Sequence, residues 1–122
     1  MNRIEQDFFA AMPEVLPIYK ELKEKVLTVI PNLRVEVRKT QISFKGERVA
    51  MTAWLPLLKV KARPEHYLIV TLWLSSPLRS GRIAEAIQVA PDRWVNHILL
   101  ADIKEVDDEL MGWIAKAFRL TA

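Results

Sequence analysis

The chain has 122 residues, 51% of them apolar, with three glycines, no cysteine and a formal net charge of +3. That length suits a single domain over residues 1–122 that buries roughly two-thirds of its unfolded surface. The composition excludes a disordered or loop-rich chain, and the lack of cysteine excludes disulfides, thiolate catalysis and Cys-zinc sites.

Asp7 to Met12 and Pro13 to Ile30 read as one broken helical segment. Val15, Leu22, Val26 and Val29, with Tyr19 and Ile30, recur at the three-and-four spacing of an amphipathic helix. Pro13 suits a first turn, where its missing N–H would have no partner anyway. Pro17 kinks the helix or marks its true start, and Pro31-Asn32 ends it. Arg34–Lys45 follows, with a strand pattern that changes phase: Val35 and Val37 are apolar at odd positions, Ile42 and Phe44 at even ones. One uninterrupted strand cannot send both pairs to the same core, so a bulge or kink at Arg38–Gln41, or a split into two short strands, is predicted.

Lys45-Gly46-Glu47-Arg48 is a hairpin-turn signal, with Gly46 free to take a positive φ. Arg48–Leu55 is a strand stopped by Pro56, and after a basic loop Tyr67–Leu74 is the most apolar strand, expected at the sheet centre. Arg82–Val89 fits a helical turn through Ile83 and Ile87 or a strand face through Ile83, Ile87 and Val89. The turn signal Ala90-Pro91-Asp92, leading straight into Arg93–Ala101, favours a strand. From about Glu105 to Leu120, Val106, Leu110, Trp113, Ile114, Ala117 and Phe118 form one helical stripe. The expected architecture is α+β: an antiparallel sheet of about five strands with the N-terminal and C-terminal helices packed on one face.

Several strands are apolar on both faces, among them Met51–Leu55 and Trp94–Leu100, which points to cover from long loops or to a homodimer. No stretch approaches the ~18 apolar residues of a membrane span, and Glu5 and Asp7 interrupt any signal-peptide pattern. A cytoplasmic protein with no membrane partner is expected. Residues 31–100 hold eleven Lys/Arg against five Asp/Glu, while residues 1–30 and 101–122 are net acidic. The positive field therefore belongs to the sheet and its loops. It favours anionic partners, either small molecules or nucleic acid, and it also serves solubility.

Candidate site residues follow from that field. Lys39, Thr40, Gln41 and Ser43 present an ammonium, hydroxyls and an amide at the phase change, a set that can hold a phosphate or carboxylate. The same residues would equally satisfy a bulge at a strand edge. Arg82 and Arg93 are cations near strand ends that, with Lys39, can form an anion site; rim charge or pairing with Glu85 or Asp92 is the alternative. His97 shares its face with Val95 and Leu99 and falls opposite Trp94, which suits a core histidine. Lys59, Lys61 and Arg63 can contact phosphates from an extended loop. Trp54, Trp73 and Tyr67 read as core packing rather than stacking platforms. Asp107, Asp108 and Glu109 splay around a helix start, where they complement its dipole instead of converging on an ion. No catalytic motif is present, so neither a cofactor nor a metal is expected.

Asp7-Phe8-Phe9, Lys39-Thr40-Gln41-Ile42-Ser43-Phe44, Ser80-Gly81-Arg82-Ile83, Arg93-Trp94-Val95-Asn96-His97 and Asp107-Asp108-Glu109-Leu110 together resemble the bacterial family known as domain of unknown function 5655. The resemblance covers nearly the whole chain and implies two helices on an antiparallel sheet. It also implies distant similarity to the YdhG-like domains, some described as frataxin-like iron chaperones, and, through restriction-type proteins that carry such domains, a nucleic-acid context. Asn96 stands where that pattern has a histidine before His97, which weakens a metal role. The functional expectation is non-catalytic binding of an anionic ligand through the basic loops. A dimerising interaction module is the alternative, and an enzyme using Lys39, Ser43 or His97 is a third class.

Overall fold

The structure is a computed structural model that describes residues 2–121. Six strands form one antiparallel sheet: β1 Arg34–Val37, β2 Ile42–Lys45, β3 Val49–Trp54, β4 Leu68–Leu74, β5 Ile83–Ala90 and β6 Arg93–Leu100, in the order β1-β2-β3-β4-β6-β5. The sixth strand, beyond the five or so expected, comes from Arg34–Lys45, which makes a hairpin and not one bulged strand. Val35 pairs with Phe44 and Val37 with Ile42. Opposed residues of an antiparallel pair share a face, so chain reversal puts odd- and even-numbered residues on the same side. Arg38 N–H donates to the Gln41 carbonyl at 2.8 Å and closes the turn, with Lys39 and Thr40 exposed at its tip. Residues 83–90 are a strand, as the turn signal after them predicts, but Ile83 and Ile87 do not share a face: a bulge between Ile83 and Glu85 sets Ile83 opposite core Ile98 and Ile87 opposite Val95. β4 lies inside the sheet, as expected. Gly46 turns between β2 and β3 without a positive φ.

The N-terminal segment forms α1, Arg3–Phe8, two short 3-10 turns at Phe9–Ala11 and Pro13–Val15, and α2, Leu16–Val29, with Pro17 in its first turn. Asn2 caps α1: its side chain accepts from Glu5 N–H at 2.9 Å, and the Glu5 carboxylate accepts from Asn2 N–H. The C-terminal helix α3, Asp108–Leu120, starts at Asp107, whose carboxylate accepts from Leu110 N–H at 3.0 Å. Capping is therefore one role of this acidic run, as its position suggests.

One cluster of buried side chains joins both long helices to one face of the sheet. Tyr19, Leu22 and Val26 of α2 and Leu110, Ile114 and Ala117 of α3 meet Ile42, Phe44, Met51, Ala53, Leu68, Val70, Leu72, Ile98 and Leu100. Since alternate residues point opposite ways, Ser43, Thr52, Trp54, Ile69, Thr71, Trp73, Val95, His97 and Leu99 are left on the helix-free face. Inside the helical layer Glu5, only 1% exposed, accepts from Lys23 Nζ at 2.7 and 2.8 Å and from the Tyr19 hydroxyl. Burial acts to raise its pKa, but the Lys23 and Tyr19 hydrogen bonds outweigh that and hold it below the ordinary value.

Candidate anion site at the end of the sheet

Strand register lines up a polar row across the whole sheet: Glu36 opposite Ser43, Ser43 opposite Thr52, Thr52 opposite Thr71, Thr71 opposite His97 and His97 opposite Glu85. Ser43, Thr52 and Thr71 are buried although no helix covers them. At the Thr71 end, Trp54 Nε1 donates to Thr71 Oγ1 at 2.9 Å, and Thr71 Oγ1 lies 2.7 Å from His97 Nδ1. Trp54 can only donate, so Thr71 accepts from the indole and joins it to the imidazole in one hydrogen-bonded chain. Edge-on packing against Trp54, with ring centroids 5.7 Å apart, fixes the ring plane. Burial pushes the His97 pKa below its ordinary value; Glu85 opposes the shift and Arg63 adds to it. The imidazole is neutral at physiological pH. It borders a cavity of about 70 Å³ with Arg63, Glu85 and Leu99, room for a few waters or one small polar group.

A larger cleft, about 310 Å³, lies where β4 ends. Two hairpin turns flank that end: the β2–β3 turn contributes Arg48, and the β5–β6 turn contributes Asp92 and Arg93. Trp73, Leu74 and Ser75, at the end of β4 and just after it, complete the lining with Leu120 and Thr121 at the end of α3. Trp73 is half-buried. Among the described residues, neither Arg48 nor Arg93 lies within 4.0 Å of a carboxylate oxygen.

The residues singled out in the sequence are dispersed. Lys39 and Thr40 occupy the β1–β2 turn, at the opposite end of the sheet from Arg93. Lys39 and Arg82 belong to opposite edges: β2 and β5 are four strand steps apart, roughly 19 Å. The shared Lys39–Arg82–Arg93 site therefore does not form. Gln41 reaches only Ser43, which is itself buried in the polar row.

Arg82 is committed elsewhere. Its Nη1 donates to both Asp107 oxygens, at 2.8 and 3.0 Å, and to Glu109 at 3.1 Å; its Nη2 donates to the Glu105 carbonyl, and the guanidinium stacks over Trp113. His97 lies on the helix-free face, half-buried, and not in the main core. Trp54 and Trp73 share that face, which corrects their assignment to core packing. Lys59 and Lys61 are exposed, but Arg63 folds back over Tyr67, so the three do not project together. Sequence reasoning missed Arg48. The available signal was that Arg48, the last residue of its turn, and Arg93, the first of its strand, sit at the starts of the two strands that flank β4.

A family model described as "Domain of unknown function (DUF5655)" matches residues 5–121. The chain belongs to the DUF5655 family. No curated protein and no solved structure matches it. Within this DUF5655 fold, two of the stretches that carried the resemblance meet through one side chain, since Arg82 of Ser80–Ile83 grips Asp107 and Glu109. A third holds a loop in place: buried Asn96 accepts from Leu78 N–H at 2.8 Å and donates to the Ser76 carbonyl. These contacts give the motif residues structural work.

Proposed function

We propose that this DUF5655 protein binds an anionic ligand, a small molecule or nucleic acid, without catalysing a reaction. The ligand sits in the cleft between Arg48 and Arg93. One observation carries the reading: Arg48 and Arg93, from the two strand connections on either side of β4, line one concavity of about 310 Å³ together with half-buried Trp73. Guanidinium forks match phosphate and carboxylate geometry, and an indole offers a stacking surface for a base or other planar ring. The volume is at the small end of ordinary ligand sites. Ser75 adds a hydroxyl, and Asp92 would accept from an N–H on the ligand while repelling excess negative charge. His97 is four residues along β6 from Arg93, about 13 Å. We read the protein as bacterial and cytoplasmic, in keeping with a cysteine-free chain.

Titration with pyrophosphate and with a fluorescently labelled oligothymidylate tests this. Wild type should bind at low salt and weaken steeply as salt rises, and Arg48→Ala with Arg93→Ala should reduce affinity at least tenfold. Equal affinity in the double variant would refute the assignment. A second reading, self-association, is favoured by Ile87 and Val89, 42% and 55% exposed on edge strand β5, with Ile87 facing Val95. Association that persists at high salt, seen by sedimentation, would support it.

A further inference from the structure

We propose that the loop joining β3 to β4 docks on an anionic lipid surface. This goes beyond the anion cleft, which lies at the other end of the sheet. The loop carries the most exposed large apolar side chains among the described residues: Leu57 is 82% exposed and Leu58 79%, with Val60 at 42%. Two adjacent leucines left in water at a loop tip have no folding role, and exposed apolar surface of this kind marks a contact site. Both leucines also line a hollow of about 310 Å³ that the loop forms with Ala11 and Met12, so their apolar surface is open to an incoming group.

Charge says what the leucines meet. Lys59 and Lys61 follow directly and are exposed. Ala62 adopts a φ of 69°, a left-handed conformation that non-glycine residues seldom take. That bend turns Arg63 inward over Tyr67 while both lysines stay outward. Lys39 lies at the same end of the sheet in the β1–β2 turn, where Arg38 is paired with Glu36. Within the loop Lys59 and Lys61 outnumber the one exposed carboxylate, Glu65; outside it, the half-exposed Glu14 lies 3.7 Å from His66, and Glu105 accepts from the backbone of Ala101 and Asp102.

Exposed leucines flanked by exposed lysines fit the boundary between headgroups and acyl chains, where apolar side chains enter the acyl region and ammonium groups meet anionic headgroups. The expectation of no membrane partner rested on the length of apolar runs, which bears on spanning alone. No helix among the described residues is long and apolar enough to cross a membrane, and surface docking requires none.

The test is co-sedimentation of the full chain with vesicles of phosphatidylcholine alone or with about a third phosphatidylserine. The protein should sediment with the anionic vesicles and be released by salt. Leu57→Ser with Leu58→Ser should lower partitioning by roughly a hundredfold, about tenfold per leucine. Lys59→Gln with Lys61→Gln should lower it by about thirtyfold, near fivefold per lysine. The leucine variant should keep its circular dichroism and its pyrophosphate binding, since neither leucine lines the arginine cleft. Failure to sediment with anionic vesicles, equal sedimentation with neutral ones, or undiminished binding by the leucine variant would each overturn the proposal. Self-association abolished by the same leucine change, without vesicle binding, would assign the loop to a second copy and also overturn it.

Discussion

Replacing Arg82 with alanine should destabilise the fold by about 3 kcal/mol, through contacts spanning 25 residues of sequence. The side chain is 19% exposed, whereas its partners Asp107 and Glu109 are 45% and 55% exposed. Solvent screening limits each of those ion pairs to about 0.5–1 kcal/mol. The charge-assisted bond to the Glu105 carbonyl contributes about 1.5 kcal/mol, and stacking over Trp113 about 0.5–1 kcal/mol. A chain of this size has about 6–18 kcal/mol in total, so the loss is a substantial fraction. Urea unfolding followed by tryptophan fluorescence measures it, with Trp113 as a local reporter. Arg82→Lys should recover only about 1 kcal/mol, because an ammonium cannot bridge two carboxylates and a carbonyl while lying flat on an indole. A cost below about 0.5 kcal/mol for the alanine variant, or full rescue by lysine, would refute the clamp.

Other expectations follow from the buried polar groups. Glu5→Gln should cost about 2–4 kcal/mol, because Lys23 and Tyr19 lose a charged partner in a dry site. The folded-state pKa of Glu5 is depressed, so its contribution is complete above the ordinary 4.5 and is lost as pH falls through the folded value; the variant's stability should vary less in acid. Thr71→Val should cost about 1–3 kcal/mol by stranding Trp54 Nε1, measured by the same unfolding assay. His97 should titrate below 6.5 by NMR, and stability should decline as pH drops below 6.5, because the unfolded chain takes up the proton first. A His97 midpoint at or above 6.5 would contradict the buried environment described for it.

Much of the architecture was legible, because periodicity records which residues share a face. The helix stripes follow from it, while the apolar run of β4 marked its central place and the turn signal after residue 89 marked the strand at 83–90. Alternation alone does not say which strand pairs with which. The phase change between Val37 and Ile42 therefore read as a bulge or a split, when the turn at Arg38–Gln41 satisfies it by reversing the chain. For the same reason Trp54 and Trp73, on the second face, passed for core: composition does not reveal that both long helices chose the other side.

The site was harder to read. Arg82 and Arg93 looked equivalent as strand-end cations, yet the fold brings Asp107 and Glu109 to one and Trp73 to the other. Those partners are distant in sequence and became visible only with the topology. Arg48 was passed over as a turn residue, although its neighbour across β4 was already a candidate.

The most direct test of ligand binding between Arg48 and Arg93 is the indole N–H spectrum of the four tryptophans during titration with pyrophosphate. The Trp73 signal should move saturably, those of Trp54, Trp94 and Trp113 should stay nearly fixed, and Arg93→Ala should abolish the shift. A Trp73 signal that does not respond, or one that moves equally in the Arg93→Ala variant, would contradict binding at this cleft.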